Sequence, residues 1–530
     1  MTTTEPATGQ FTSGHQDLVE AAGMPVGSGL IKPGYDPRLT NEDLAPLKEQ
    51  KWGTYNIFAF WMSDVHSVGG YITAGSLFAI GLTSWEVFVC LIVGIVIVQF
   101  FCNLVAKPSQ QAGVPYPVTS RAAFGVLGAN IAAIIRGLIA VAWYGVQTFL
   151  AAESLNIVFL KLWPGLGPWA DVDQHGFLGL SALGYLSYAI LWVLQALLFW
   201  RGMDTIRKFI DYAGPAVYVV MIVLCFYMLN KADWSINLNL SSVHLGGWDL
   251  VWAMCGAIAL VVAYFSGPML NFGDFSRYAG KFAAVKKGNF LGLPVNFIMF
   301  ALLTVLTAAA TVPVYGELIT DPIVTVQKID NTFAIILGGV TFVIATVGIN
   351  IVANFISPAF DFSHVNPQKI TWRMGGMIAA VGSVLVTPWN WYDNANAIFW
   401  TLNLLGALIG PLFGILIADF YLVRQQKIVV DDLFTLDPNG SYFYRKGYNM
   451  VAVQSVIIAG AVALAAIIIP KEAGILDWLP QYSWFVGCGV GFVGYYALAL
   501  RANVAGVADR RRGLETAPLG SPDGRATAAA

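Results

Sequence analysis

Long apolar runs, separated by short polar stretches, dominate the pattern of this chain. A helix needs about 20 mostly apolar residues to cross a bilayer. Twelve windows approach or meet that length: 55–80, 85–106, 130–158, 177–200, 207–229, 248–272, 289–312, 332–358, 373–388, 395–422, 448–469 and 482–502. The ninth is the shortest. The pattern predicts an all-α integral membrane protein with 12 transmembrane helices. Residues 1–52 are polar and contain no run resembling a signal peptide, and residues 503–530 read as a polar, disordered tail.

Charge orients the spans. With the N-terminal segment taken as cytoplasmic, 24 of the 29 Lys and Arg residues fall in that segment, the even-numbered loops and the tail. The odd-numbered loops hold only Lys161, Lys231, Lys328 and Lys471. This asymmetry predicts a multi-pass protein of the cell membrane with both termini cytoplasmic. Composition agrees: 57 % of residues are hydrophobic and 11 % charged, too few charges to coat a soluble globule. A net charge of −2 with no basic stripe excludes nucleic acid as a partner. The five cysteines form no C-x-x-C pair and the five histidines no H-E-x-x-H. No metal site, cofactor or catalytic set is expected.

Two spans carry helix-breaking sequence. Span 1 contains Ser63-Asp64-Val65-His66-Ser67-Val68-Gly69-Gly70, and span 6 contains Tyr264-Phe265-Ser266-Gly267-Pro268. Irregular backbone at membrane depth survives only where protein buries it or a cavity meets it. Interruptions at matching places five spans apart point to an inverted-repeat transporter with its substrate at the midplane. Polar groups gather at the same level. Span 3 holds Arg136, Trp143, Gln147 and Glu153, with Trp143 and Gln147 on one helical face. Span 8 carries the stripe Thr346, Asn350, Asn354, Ser357 and Asp361. Such groups are costly in hydrocarbon, so they face a cavity or other helices.

Trp143 and Phe265 are candidates to sandwich a flat ring, and the amides of Gln147 and Asn354 each donate and accept. That set suits a small planar heterocycle with alternating N–H and C=O groups: a cyclic imide, ureide or pyrimidine. Ser67, Gly267 and Asn350 complete the expected site. Asp274 and Arg277, spaced i,i+3 at the end of span 6, read as structural or gating residues, with Arg136 and Asp361 as their buried counterparts.

Four segments carry a family resemblance. Asn271-Phe272-Gly273-Asp274-Phe275-Ser276-Arg277 resembles the N-x-x-D-F-S/T-R hallmark of the nucleobase:cation symporter-1 family. Trp61-Met62-Ser63-Asp64-Val65-His66-Ser67-Val68 is similar to its W-M-x-x-V-H-N-V segment. Asn350-x-x-Ala353-Asn354 and Trp143-x-x-x-Gln147 match its motifs in spans 8 and 3. The closest likeness is to the hydantoin, allantoin and uracil permeases. The resemblance implies a LeuT-like 5+5 inverted repeat with helices 1 and 6 broken. The repeats would be residues 53–229 and 248–422, with two additional helices in 423–502. It also implies substrate stacking by Trp143 and Phe265, with hydrogen bonds from Gln147, Asn354 and the helix break at Ser67. Phe265 replaces the tryptophan of some relatives, and Ser67 stands where many have Asn or Gln.

Sodium-coupled members place two adjacent hydroxyl residues in span 8. Here those positions are Gly348 and Ile349, which offer no side-chain oxygen to a hard cation. Only backbone carbonyls remain at Ser63, His66 and Ala345. Coupling to protons is therefore expected, with His66 as the leading carrier and Asp64 and Glu153 next. For His66 the competing role is a neutral residue of the helix break, and for Asp64 a cap. The expectation is a monomeric symporter that imports the heterocycle by alternating access. The alternatives are sodium coupling, a channel, or a receptor that binds without transport. No G-x-x-x-x-G-K-[ST] loop is present to bind ATP.

Overall fold

The computed structural model describes residues 29–201, 203–239, 245–392, 394–474 and 476–504. Most of the expected N-terminal segment (1–28) and of the tail (505–530) lies outside the described residues.

The first window folds as two helices, α1 (Thr54–Val65) and α2 (Val68–Ser76). Ser67 separates them in an extended conformation. Its Oγ accepts from Gly70 N at 3.0 Å, so Ser67, not Asp64, caps the second helix. Next come α3 (Ser84–Ala112), opened by a Thr83–Glu86 capping box, and the short α4 (Tyr116–Phe124). Then follow α5 (Ala129–Leu162), a hairpin of β1 (Gly176–Phe177) and β2 (Leu180–Ser181), α6 (Ala182–Trp200) and α7 (Met203–Lys231).

The sixth window departs from expectation. Its helix, α8 (Gly247–Leu270), runs unbroken through residues 264–268. Proline's fixed φ suits a helix, and Pro268 removes only the donor to the Tyr264 carbonyl. Ser266 Oγ donates to Ala263 O at 2.6 Å, and Arg136 Nε reaches Gly267 O at 3.3 Å. The chain turns instead at Asn271–Phe272, before the four-residue α9 (Gly273–Ser276). The helix is therefore continuous where its glycine and proline suggested a break, and the chain turns only at the end of the window.

The remaining elements are α10 (Phe282–Tyr315), α11 (Pro322–Gln327), α12 (Thr332–Val365), α13 (Trp372–Leu385), α14 (Ala395–Val423), α15 (Met450–Ala473) and α16 (Ser483–Arg501). Every expected window thus holds a helix. Among the described residues nine helices are individually long and apolar enough to cross a membrane; α13, with 14 residues, is not one of them. A π turn interrupts α12 at Val352–Ile356, around Asn354. Pro358 supplies no N–H to the Asn354 carbonyl four residues earlier, so the ladder slips there.

Helices α5, α6, α12 and α13 pack as one group, and α1, α3, α8 and α10 as another. Outside them, α14 lies against α16, where Gly410 and Gly414 touch the backbone of Trp484 and Cys488 too closely for any Cβ. On the Lys/Arg-rich face, residues 29–52 run across the ends of both groups. Arg121 Nη2 donates to Leu39 O at 2.8 Å. Arg277 donates to Asp43 O and Ala45 O, both at 2.9 Å.

Candidate functional site

The break between α1 and α2 sets the position of the site. Gly69, in the first turn of α2, lies against the side-chain amide of Gln147 on α5; a Cβ there would stand 2.9 Å from Nε2. Ser67 Oγ also lies 3.3 Å from the Tyr264 hydroxyl on α8. Trp143, one turn before Gln147, meets Tyr264 edge-on with ring centroids 5.4 Å apart. It meets Tyr392, just before α14, at 5.9 Å, and the Tyr392 hydroxyl is 3.2 Å from Thr73 Oγ1 on α2. Trp143, Gln147, Ser67 and Tyr392, all buried, therefore form one cluster with the half-buried Tyr264. Within it Gln147 Oε1 accepts no hydrogen bond, an empty acceptor among aromatic rings.

The expected pairing of Trp143 with Phe265 takes a different form. Tyr264, not Phe265, is in ring contact with Trp143. Phe265 packs edge-on to Phe297 at 5.6 Å. It lines a small apolar cavity with Gly70, Thr73, Phe297 and Phe300. Consecutive residues of a helix point about 100° apart, so one position of phase decides which aromatic reaches α5. Tyr264 touches both rings and also lines that cavity.

Asn354 and Asn350 divide their labour. Asn350 Nδ2 donates to Gln195 Oε1 at 2.6 Å, with Thr148 Oγ1 and Tyr144 O at 3.1 and 3.2 Å. Its Oδ1 accepts from Asn354 Nδ2 at 3.0 Å. Asn350 is thus saturated and ties α5, α6 and α12 together, which leaves it no group for a substrate. Asn354 keeps its carbonyl oxygen for a further donor. Replacing Asn350 by Leu strands Gln195 and Asn354. The expected cost is about 1–3 kcal/mol, read as a lower melting temperature of the ligand-free protein in detergent.

The coupling candidates are dispersed. His66 is buried, with Nδ1 3.0 Å from the Tyr71 hydroxyl and Nε2 3.3 Å from Asn296 Oδ1. Tyr218 and Phe300 cover its ring, and both of its hydrogen-bond partners are neutral. Glu153 is far along α5, accepting from Asn156 Nδ2 at 3.2 Å. Asp64 is buried with Oδ1 unpartnered. Ser63 and Ala345 are buried in α1 and α12. At Gly348, a Cβ would meet Ala213 Cβ and Phe209 Cε1 of α7 at 3.6 Å, so apolar atoms face that position.

Asp274 accepts from Tyr116 N at 2.8 Å and Asn271 Nδ2 at 3.2 Å, which fastens α9 to the start of α4. Sequence alone left Arg136 to serve Asp361 or Asp274. Its Nε instead points to Gly267 O and Asn271 Oδ1, each at 3.3 Å. The Gly267 carbonyl is thus already engaged. Tyr264, Tyr392 and Gln195 were missed as site residues. Tyr264 lay in view within the expected break, while Tyr392 sits in a Trp-Asn-Trp-Tyr stretch whose return to the centre needs the tertiary fold.

A membrane-embedded helical bundle with an interrupted first helix and a buried aromatic–amide cluster is the build of a secondary transporter. Residues 45–487 match the family described as permeases for cytosine/purines, uracil, thiamine and allantoin. An allantoin permease of Bacillus subtilis is 32 % identical over 466 residues, covering 87 % of this chain and 93 % of that protein. A purine-uracil permease of Arabidopsis thaliana is 31 % identical over 479 residues, covering 89 % and 77 %. A solved nucleobase-cation-symport-1 family transporter, closed with bromovinylhydantoin bound, superposes with a TM-score of 0.71 at 23 % identity, covering 91 % and 96 %.

The chain belongs to this permease family. It is a multi-pass membrane transporter of the LeuT-like all-α class, not an enzyme, as the sequence motifs implied.

Proposed function

We propose that the protein imports a small planar nitrogen heterocycle of the allantoin, hydantoin or uracil type, by alternating access and coupled to protons. The observation that carries this reading is the unfilled acceptor of Gln147, set beside Trp143 and Tyr264 at the start of α2. A ring N–H fills that acceptor while its π face rests against an aromatic ring. Asn354, with its carbonyl oxygen open, supplies a second polar contact. The names of the relatives, allantoin permease and purine-uracil permease, support the same substrate class. Proton coupling is supported by the apolar surroundings of Gly348, where a sodium ion would want oxygen. The Lys/Arg asymmetry supports a cell-membrane protein with its basic face cytoplasmic. We read residues 53–229 and 248–422 as the two repeats, 423–502 as an addition, and the working unit as a monomer.

A thermal-shift screen against allantoin, hydantoin, uracil and cytosine tests the substrate class, because a ligand stabilises what it binds. At least one is expected to raise the melting temperature. Trp143→Ala and Asn354→Ala are each expected to abolish that shift, measured against the ligand-free melting point of the same variant. Shifts retained by both variants place the site elsewhere. Uptake into vesicles with an imposed pH gradient tests the coupling, and strong stimulation by sodium at fixed pH refutes it.

A further inference from the structure

Asp361 lies in α12 on the Lys/Arg-rich side of the site. It is fully buried, and neither carboxylate oxygen accepts a hydrogen bond. The groups that act on it electrostatically are Asp274 and Arg136. Tyr116, at the start of α4, lies within electrostatic reach of it. Its neighbour on its own helix, His364, is occupied by Arg121 Nε at 2.8 Å. Arg136 is buried too, its Nη1 is unpartnered, and Asp361, Asp274, Tyr116 and Asp64 act on it. Arg277 also acts on Asp274 but spends its Nη1 and Nη2 groups on the carbonyls of Asp43 and Ala45.

The charges do not cancel. Asp64, Asp274 and Asp361 all act on Arg136 without forming an ion pair with it, while Arg277 is held by backbone carbonyls, and an uncompensated charge in the membrane interior is strongly disfavoured. Asp274 has two donors and is built to be an anion. Asp361 has none, the environment of a carboxyl that carries its own proton. We propose that Asp361 is the proton-binding group that couples transport, and that Arg136 is the element it switches. This rests on the proton-coupled reading above and names its residue.

The step is a protonation and its reversal. The Asp361 carboxylate takes a proton from the solution on one side, becomes neutral, and returns the proton to the other. When Asp361 is neutral, Arg136 rests on the end of α8 through two long bonds of 3.3 Å, to Gly267 O and Asn271 Oδ1. When Asp361 loses its proton, the carboxylate competes for the guanidinium and draws it off the turn at Asn271. Arg136 and Asp361 belong to one helix group, Gly267 and Asn271 to the other. Proton occupancy thereby decides whether the two groups are latched. Tyr116 and Thr119 also line a small pocket between α3, α4 and α14.

The test uses the full chain in proteoliposomes and an equimolar mixture of labelled allantoin, hydantoin and uracil. Wild type is expected to take up protons with the label and to accumulate it under an inward proton gradient. Asp361→Asn is expected to lose both while still exchanging internal for external label in counterflow. Asp361→Glu, which keeps a titratable group, is expected to retain proton uptake with a displaced pH profile. A wild type without proton-linked uptake overturns the underlying reading. A coupled wild type whose Asp361→Asn variant stays coupled overturns this assignment alone. Should Asp361→Asn not reach the membrane, the pH profile of Asp361→Glu decides: an unchanged profile overturns the assignment.

Discussion

Gln147→Ala is expected to weaken binding of the preferred heterocycle by about 100-fold, from two lost hydrogen bonds of roughly 1.5 kcal/mol each. The amide lies against the first turn of α2, and its carbonyl oxygen is the empty acceptor of the aromatic cluster. In the ligand-free protein that oxygen is a buried group without a partner, so its removal costs little stability and relieves some desolvation. The variant therefore separates the two properties: melting temperature without ligand stays at or above wild type, while affinity measured by calorimetry or ligand-induced thermal shift collapses. Gln147→Glu keeps the shape and loses the donor. It adds a charge near Trp143 and Tyr264, and is expected to bind as poorly as the alanine variant. A normal affinity in Gln147→Ala moves the substrate off α5.

Much of this site is legible in the sequence because membranes punish polar residues. Trp143 with Gln147, and Asn350 with Asn354, stood out as polar or aromatic pairs at helical spacing within apolar runs, and each proved buried, Gln147 against the first helix break. Their individual roles were less legible. Asn350 and Asn354 look alike along the chain, and only the third dimension places Gln195 and Thr148 against Asn350 and not Asn354. The break in helix 1 was readable because Ser67 and two glycines combine a cap with poor helix formers. The expected break in span 6 did not appear at Gly267 and Pro268, because the fixed φ of proline suits a helix and only one backbone bond, to the Tyr264 carbonyl, is lost. Phe265 and Tyr264 differ by one step of helical phase, which hydrophobicity does not resolve when both neighbours are aromatic.

Asp419→Ala is expected to destabilise the protein by about 3–5 kcal/mol, the cost of leaving a buried arginine without its anion. Asp419 sits in the π turn at the end of α14 and accepts from Arg424 Nε and the Tyr495 hydroxyl, each at 2.6 Å. Arg424 also donates to Ala122 O and the Tyr444 hydroxyl, and its guanidinium lies 4.8 Å from the centre of the Tyr442 ring. Both charged side chains are nearly inaccessible. The pair ties α14 to α16, to α4 and to the loop before α15. A lower melting temperature with unchanged heterocycle affinity at temperatures where the variant is folded is the expected pattern. Asp419→Leu combined with Arg424→Met is expected to recover most of the loss, because matched apolar side chains escape the desolvation cost. Asp361→Asn offers the opposite case, since that carboxyl makes no bond to lose and its ligand-free melting point is expected to hold or rise. One buried acid is closed into an ion pair and serves the fold; the other is left open beside an unfilled arginine, the arrangement a group needs if it is to change its charge during transport.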